Sequence, residues 1–465
     1  MLTSDAICAL ATPPGAAGLA VVRLSGDGCL QIADACFRGR SALQHAASHT
    51  AHYGKLYKVG EIDGTVQMLD TVVATVFRAP HSYTGEDVVE FGCHGGMIVS
   101  QEIVEALIQA GARPAEPGEF TKRAFLNNKL DLTQVEAVGD LIHAVSVQGS
   151  HAAARQLTGG FTARLAELRE RVLRICGLLE LELDFSQEDL ELIDRAEILQ
   201  HIETARMFCE ELAASHRSAE ILRSGYTVGI VGYPNAGKSS LLNALLQRKR
   251  AIVSDIPGTT RDYIEERIVL GGLAVKLVDT AGFRSSQDVI EVEGMSLAES
   301  LLEQCNMIIV LNDITLGEHH SAPLLHKLRS AFPQAECVLV HNKIDAHLPE
   351  YSPSPPSSQD HQASTLRISA VSGTGIEELK DYIRRQASSD TALVSDALIN
   401  ARQAALLRQA SASMQAAMDA VWANASNEFI ALDLREALKR IGEITGAVWN
   451  EDILNSIFSK FCIGK

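Results

Sequence analysis

The strongest constraint in this 465-residue chain is the stretch Gly232-Tyr233-Pro234-Asn235-Ala236-Gly237-Lys238-Ser239. Its spacing, G-x-x-x-x-G-K-S, is that of a phosphate-binding loop. Upstream, Tyr226 to Val231 reads as a buried strand, and downstream Ser240 to Leu246 reads as the start of an apolar helix. Strand, glycine loop and helix start aim successive backbone N–H groups, and the positive end of a helix dipole, at one small volume. Asn235, Ala236, Gly237, Lys238, Ser239 and Ser240 would therefore surround a phosphate chain. Lys238 offers a mobile positive charge over the outer phosphates, and Ser239 a hydroxyl ligand for Mg²⁺.

Three later stretches decide which nucleotide fits. Ala274 to Val278 reads as a strand ending in Asp279-Thr280-Ala281-Gly282. An Asp at such a tip can hold Mg²⁺ through water, and the Gly lets a backbone N–H approach the γ-phosphate. Cys337 to Val340 is another short strand, leading into Asn342-Lys343-Ile344-Asp345. The Asp345 carboxylate can accept from guanine N1–H and from the exocyclic amine. Adenine offers no such pair of donors, and would leave the carboxylate unmet. After the strand Leu366 to Ile368 comes Ser369-Ala370, whose backbone can meet the guanine carbonyl oxygen. Each motif alone is weak. Four in this order, each behind a strand, specify a GTP-binding domain.

The length suits two or three domains. A formal net charge of −17 argues against this chain as the main platform for RNA, which needs a basic face. Nine cysteines lie scattered without a C-x-x-C pair, which argues against a zinc ribbon or a disulfide framework and fits a reducing cytosol. The first residues lack the basic and apolar regions of a signal peptide. No apolar run approaches the ~20 residues of a membrane helix. The expected location is cytoplasmic, with no membrane partner.

Residues 1–120 read as an α+β domain. Its strands are expected at Ala6–Ala11, Leu19–Leu24, Leu69–Arg78 and Asp87–Cys93, and its helices near Cys29–Phe37 and Ile98–Ala110. Cys93 beside His94 reads as part of a turn, because two adjacent ligands do not make a metal site. Residues 121–222 read as the first half of a helical domain. Leu165, Leu168, Val172, Ile175 and Leu179 form one helical seam there, and a second helical segment runs around Glu197–Ile221. The GTP domain, 223–388, is inserted before the second half, 389–465. There Leu407, Met414, Met418 and Val421 share a face, as do Leu434, Leu438 and Ile441. Pro349 to Ser364 reads as a polar, proline-rich surface loop.

Many GTPases place a Gln directly after the D-x-x-G glycine to orient the attacking water. Here that residue is Phe283. Arg261, Arg284, a carboxylate among Asp288, Glu291 and Glu293, or a metal cation are the alternatives for water positioning and charge. The loop Ser254-Asp255-Ile256-Pro257-Gly258-Thr259-Thr260-Arg261-Asp262 lies where a Thr closes over Mg²⁺ and the γ-phosphate.

Five further stretches carry a resemblance. They are Ala11-Thr12-Pro13-Pro14-Gly15, Arg23-Leu24-Ser25-Gly26, Tyr83-Thr84-Gly85-Glu86-Asp87-Val88-Val89-Glu90, Pro117-Gly118-Glu119-Phe120 with Arg123 to Leu132, and the terminal Phe461-Cys462-Ile463-Gly464-Lys465. With the GTP motifs, they make the chain resemble the MnmE (TrmE) family of bacterial tRNA modification GTPases over essentially its whole length. The resemblance implies a homodimer bridged by N-terminal domains of a folate-binding type. It also implies a flavin-dependent partner, MnmG, which joins the chain in a heterotetramer and holds most of the tRNA. Together they would place a carboxymethylaminomethyl or aminomethyl group on C5 of a wobble uridine. The one-carbon ligand would be formyl- or methylene-tetrahydrofolate, contacted by Arg23, Glu90, Lys129 and Lys465. In the GTP site the resemblance implies K⁺ held by Asn235, Ser254, Ile256 and Thr259, and Mg²⁺ held by Ser239 and Thr260. Catalysis would rest on Glu291, Lys238 and Asn235. Asp255, Pro257, Gly258, Thr280, Ala281 and Gly282 would line the nucleotide. The terminal motif suggests Cys462 as a nucleophile towards C6 of uridine, but with no adjacent base identifiable it reads rather as a small apolar residue anchoring the tail. An RNA-binding assembly factor would need a basic module after the GTP domain, whereas 392–465 is mixed in charge and helical.

Overall fold

Short apolar runs between Pro and Gly turns gather into one sheet at the start of the chain. The structure, a computed structural model, describes residues 5–58, 67–184, 194–246, 265–279, 300–346, 366–391 and 397–465. Seven of its strands are β1 (Ile7–Leu10), β2 (Ala17–Ser25), β3 (Phe37–Gly39), β4 (Thr50–Tyr57), β5 (Met68–Phe77), β6 (Val88–Gly95) and β7 (Arg113–Pro114). Their order across the sheet is β3-β4-β5-β6-β2-β1-β7, antiparallel apart from the β1–β7 pair. Val22 and Leu24 of β2, Val72, Ala74 and Val76 of β5, and Val89, Phe91 and Cys93 of β6 alternate onto one face. There they share a core with the helices Cys29–Cys36 and Met97–Gln109. Glu90 and His94 alternate onto the other face of β6.

This corrects one expectation. Cys93 and His94 stand within β6, not in a turn. Cys93 is buried, and burial raises its thiol to about 11, while His94 Nδ1 lies 2.7 Å from Asp70 Oδ1. Among the described residues no cluster of three His, Cys, Asp or Glu could hold a metal ion.

The chain divides into two compact units. One comprises Met1–Gly139, Leu157–Glu203 and Ser413–Lys465, and the other Asp140–Gln156 and Thr204–Ala412. In the first unit, the seam Leu165, Leu168, Val172, Ile175 and Leu179 is fully inward along the helix Gly160–Asp184. The helix Asn427–Thr445 packs beside it, burying Leu434, Leu438 and Ile441, with Arg435 on Glu180 at 2.6 Å. Leu407, Met414, Met418 and Val421 are buried on the helix Ala401–Trp422, as their spacing implies. The expected helix around 197–221 is instead two, Arg195–Ala214 and His216–Ser224, separated at Ser215.

The second unit holds β8 (Tyr226–Gly232), β9 (Glu265–Leu270), β10 (Leu273–Asp279), β11 (Met307–Asp313), β12 (Glu336–Asn342) and β13 (Leu366–Arg367). Their order is β13-β12-β11-β8-β10-β9, parallel except for the edge strand β9. From β8 the chain runs first to one side and later to the other. A ligand crevice therefore opens at the carboxyl ends of β8 and β11. All seven residues of β11 are buried, as expected for a central parallel strand. The proline-rich segment 349–364 and the region after Phe283 lie outside the described residues. Among the described residues no helix is long and apolar enough to cross a membrane.

Candidate functional site

The phosphate-binding loop leaves β8 and enters the helix Lys238–Leu246, which is anchored by buried Leu241, Leu242 and Leu245. Two residues take left-handed backbone to make the turn, Asn235 at φ 62° and Gly237 at φ 94°. A side chain at Gly237 would overlap the Asn342 amide, so glycine is required there. Lys238 Nζ donates to the Gly232 and Tyr233 carbonyls at 3.0 and 3.1 Å, arching over the loop. Ala236 is buried beneath it, and Ser239 and Ser240 are exposed in the first helical turn. The Asp279 backbone ends β10 in register with Ile230 of β8.

Asn342 ties this loop to the two stretches expected to read the base. Its Nδ2 donates to the Ala236 carbonyl at 2.8 Å, and its Oδ1 accepts from the Ala370 N–H at 3.0 Å. Ser369 is fully buried and caps its own turn by accepting from the Ser372 N–H. The Ile344 N–H donates to the Ile368 carbonyl, which leaves Asp345 exposed at the rim. Thus Asn235, Ala236, Gly237, Lys238, Asn342, Lys343, Asp345, Ser369 and Ala370 all stand at one end of the sheet. Ser254 to Thr260, Thr280 to Gly282 and Glu291 lie outside the described residues.

The motifs alone did not reveal the role of β11. Its end residue Asp313 accepts from Lys343 Nζ at 2.6 Å. Burial works to raise the Asp313 carboxyl, but the Lys343 and Thr315 hydrogen bonds outweigh it and hold it below its ordinary range. Asn312, fully buried, accepts from the Ser321 N–H and hydroxyl through Oδ1. That fixes its amide, so Nδ2 donates to His341 Nδ1 at 2.9 Å and the imidazole accepts. Burial accordingly lowers the His341 pKa below 6.5. The run Met307-Ile308-Ile309-Val310-Leu311 was the available signal for this strand.

The first unit brings together a second set of predicted residues. Arg23 and Glu90 face each other across β2 and β6, with Nε 2.8 Å from Oε1. The Arg23 guanidinium also lies 5.1 Å from the Tyr83 ring and 5.5 Å from that of Phe120. Its Nη1 is buried without a hydrogen-bond partner, which suits a site that receives an acceptor from a ligand. The Tyr83 loop is fixed from beneath. Buried Thr84 bonds Ser25 at 2.8 Å, Glu86 accepts from Ser25 and from Arg123, and Asn127 Nδ2 donates to the Thr84 carbonyl. Lys129 Nζ reaches the Pro80 carbonyl at 3.1 Å.

The tail comes to the same place. Gly464, at φ 97°, lies so close to the Leu10 carbonyl that a Cβ would overlap it, and Leu10 is the register partner of Val22. Lys465 itself forms no ion pair among the described residues. The anchoring assigned to Cys462 belongs to its neighbours. Its side chain is exposed, its carbonyl accepts from the Gly118 N–H, and Phe461 packs on Phe458. Four stretches far apart in sequence therefore meet on the β1, β2 and β6 part of the first sheet.

A family model described as the MnmE helical domain matches residues 132–462, and one described as the GTP-binding protein TrmE N-terminus matches 6–129. A tRNA modification GTPase MnmE of Chlorobaculum tepidum is 42% identical over 99% of this chain and 97% of its own length. One of Salinibacter ruber is 42% identical over 100% of both. Among solved structures, a variant of Aquifex aeolicus Era bound to GDP and AlF4⁻ is 28% identical over 34% of this chain and 56% of its own, with a TM-score of 0.26. Matched from end to end by relatives of one kind, the chain belongs to the MnmE family of tRNA modification GTPases.

Proposed function

We propose that this GTPase is stimulated by K⁺. With the flavin-dependent partner MnmG, it adds a carboxymethylaminomethyl group to C5 of the wobble uridine of certain tRNAs, using a folate one-carbon donor. The observation that carries the reading is the joint presence of the two residue sets. A nucleotide crevice is tied together by Asn342, and across β2 and β6 of the first sheet Arg23 Nη1 is left in need of an acceptor. The domain plan is 1–120 for folate binding and dimerisation, 121–222 and 389–465 for the helical domain, and 223–388 for GTP. The working assembly is a cytoplasmic homodimer joined to MnmG, with tRNA held mainly by the partner.

Within the crevice, the loop N–H groups and Lys238 hold the phosphates, and Asp345 with the Ala370 N–H reads guanine. Ser239 and Thr260 would hold Mg²⁺, and Asn235, Ser254, Ile256 and Thr259 would hold K⁺. When bound, these cations supply positive charge against the oxygens between the β- and γ-phosphates. Asn235 suits that role, because its left-handed backbone is one that Asn tolerates and its side chain is exposed on the loop. Glu291 positions the attacking water through an intermediary, since Phe283 has no polar atom to do so. In the first unit, Arg23, Glu90, Lys129 and Lys465 bind the folate. The test is mass analysis of wobble nucleosides from cells lacking this protein. Loss of the C5 group supports the reading, and an unchanged nucleoside profile overturns it.

A further inference from the structure

Beside the Arg23–Glu90 pair lies a cavity of about 380 Å³, lined by His49, Phe77, His81, Ser82, Tyr83 and Lys129. Tyr83 is shared: its ring receives the Arg23 guanidinium at 5.1 Å and also walls this cavity. The lining has two aromatic rings, a lysine and two histidines, and among the described residues no carboxylate. His49 meets Phe77 edge-on at 5.3 Å between ring centroids. Lys129 spends one ammonium proton on the Pro80 carbonyl and forms no ion pair among the described residues, which leaves two protons for a ligand. His49 and His81 are exposed at the mouth. Such a lining takes an anion carried on an apolar or aromatic stem, and it repels nothing negative.

We infer that this cavity receives the carboxylate-bearing tail of the folate and that it selects for oligo-γ-glutamyl forms. The inference rests on the folate reading given above and adds a chain-length preference to it. Lys129 takes the first carboxylate, and His49 and His81 take those of the added glutamates at the mouth. Exposed contacts of this kind are individually weak and salt-sensitive, and they sum along a multivalent chain.

Calorimetry on the full chain with monoglutamyl and pentaglutamyl 5-formyl-tetrahydrofolate tests this, at about 50 mM and about 500 mM salt. The pentaglutamyl form should bind about 10-fold more tightly at low salt, and that advantage should shrink at high salt. In the double variant His49→Asn, His81→Gln the advantage should fall below about 2-fold with monoglutamyl affinity unchanged. Asn is chosen because His49 sits at φ 61°, a conformation Asn accepts. Equal affinities in the parent, or an undiminished advantage in the variant, overturn the inference while leaving folate binding intact. A parent that binds neither form overturns the folate reading and the inference together.

Discussion

Asn342 donates through Nδ2 to the Ala236 carbonyl at 2.8 Å, so that a residue at the end of β12 holds the phosphate-binding loop. Its Oδ1 meanwhile holds Ala370, and the side chain is almost wholly buried. One amide thus fixes the spacing between the place for the phosphates and the place for the base. Asn342→Ala leaves a buried carbonyl unpaired, at about 1–3 kcal/mol, and a part-buried N–H unpaired at a smaller cost. Urea unfolding should show a loss of that order, and nucleotide titration a fall in GTP affinity of at least about 10-fold. Unchanged GTP affinity would mean that the two loops keep their spacing without Asn342.

Asp345 stands exposed beside the Ile344–Ile368 backbone bond, open to a base. Asp345→Asn turns an acceptor into a group that can donate to the additional carbonyl of xanthine. GTP should bind about 10- to 100-fold more weakly and xanthosine triphosphate more tightly. A variant that binds GTP as the parent does would displace the guanine pocket from Asp345.

His341 accepts from Asn312 and is therefore neutral in the folded protein, with a pKa below the unfolded 6.5. The unfolded chain binds the extra proton first. This contribution to stability is complete above 6.5 and is lost as pH falls from there through the lowered native value. The slope is at most about 1.4 kcal/mol per pH unit. Urea unfolding from about pH 7.5 to about pH 5.5 should show the parent losing more stability than His341→Gln. Parallel curves would show that the ring is not held neutral.

The tail reaches the first sheet only because Gly464 adopts a left-handed backbone against the Leu10 carbonyl. Gly464→Ala should displace Lys465 and weaken folate binding, while GTP affinity stays the same. Calorimetry with both ligands separates the two effects. Unaltered folate binding removes Lys465 from that site.

The GTP crevice was legible because its parts are local: each motif directly follows its own strand, and the seams of the long helices repeat every three or four residues. Strand β11 was overlooked although its apolar run was plain, and with it Asp313 as the anchor of Lys343. Strands β3, β4 and β9 were missed for a different reason. β4 carries His52, Gly54 and Lys55, and its register depends on Phe37 packing over Gly54, a tertiary contact that no local pattern encodes. The Arg23–Glu90 pair spans 67 positions and came from resemblance alone. That Tyr83 joins the pair to a cavity followed only from the fold.

The central claim is that a cation held by Asn235 replaces the missing water-orienting and charge-offsetting side chain. Asn235 sits at φ 62°, so Asn235→Gly removes its side chain without straining the loop. GTP turnover should be measured in K⁺ and in Na⁺ at equal ionic strength, across a range of protein concentrations, for the parent and this variant. The account predicts turnover at least about 10-fold faster in K⁺ for the parent, and turnover insensitive to the choice of cation in Asn235→Gly. Equal rates for the parent in the two salts would contradict it and turn attention to Arg261 or Arg284.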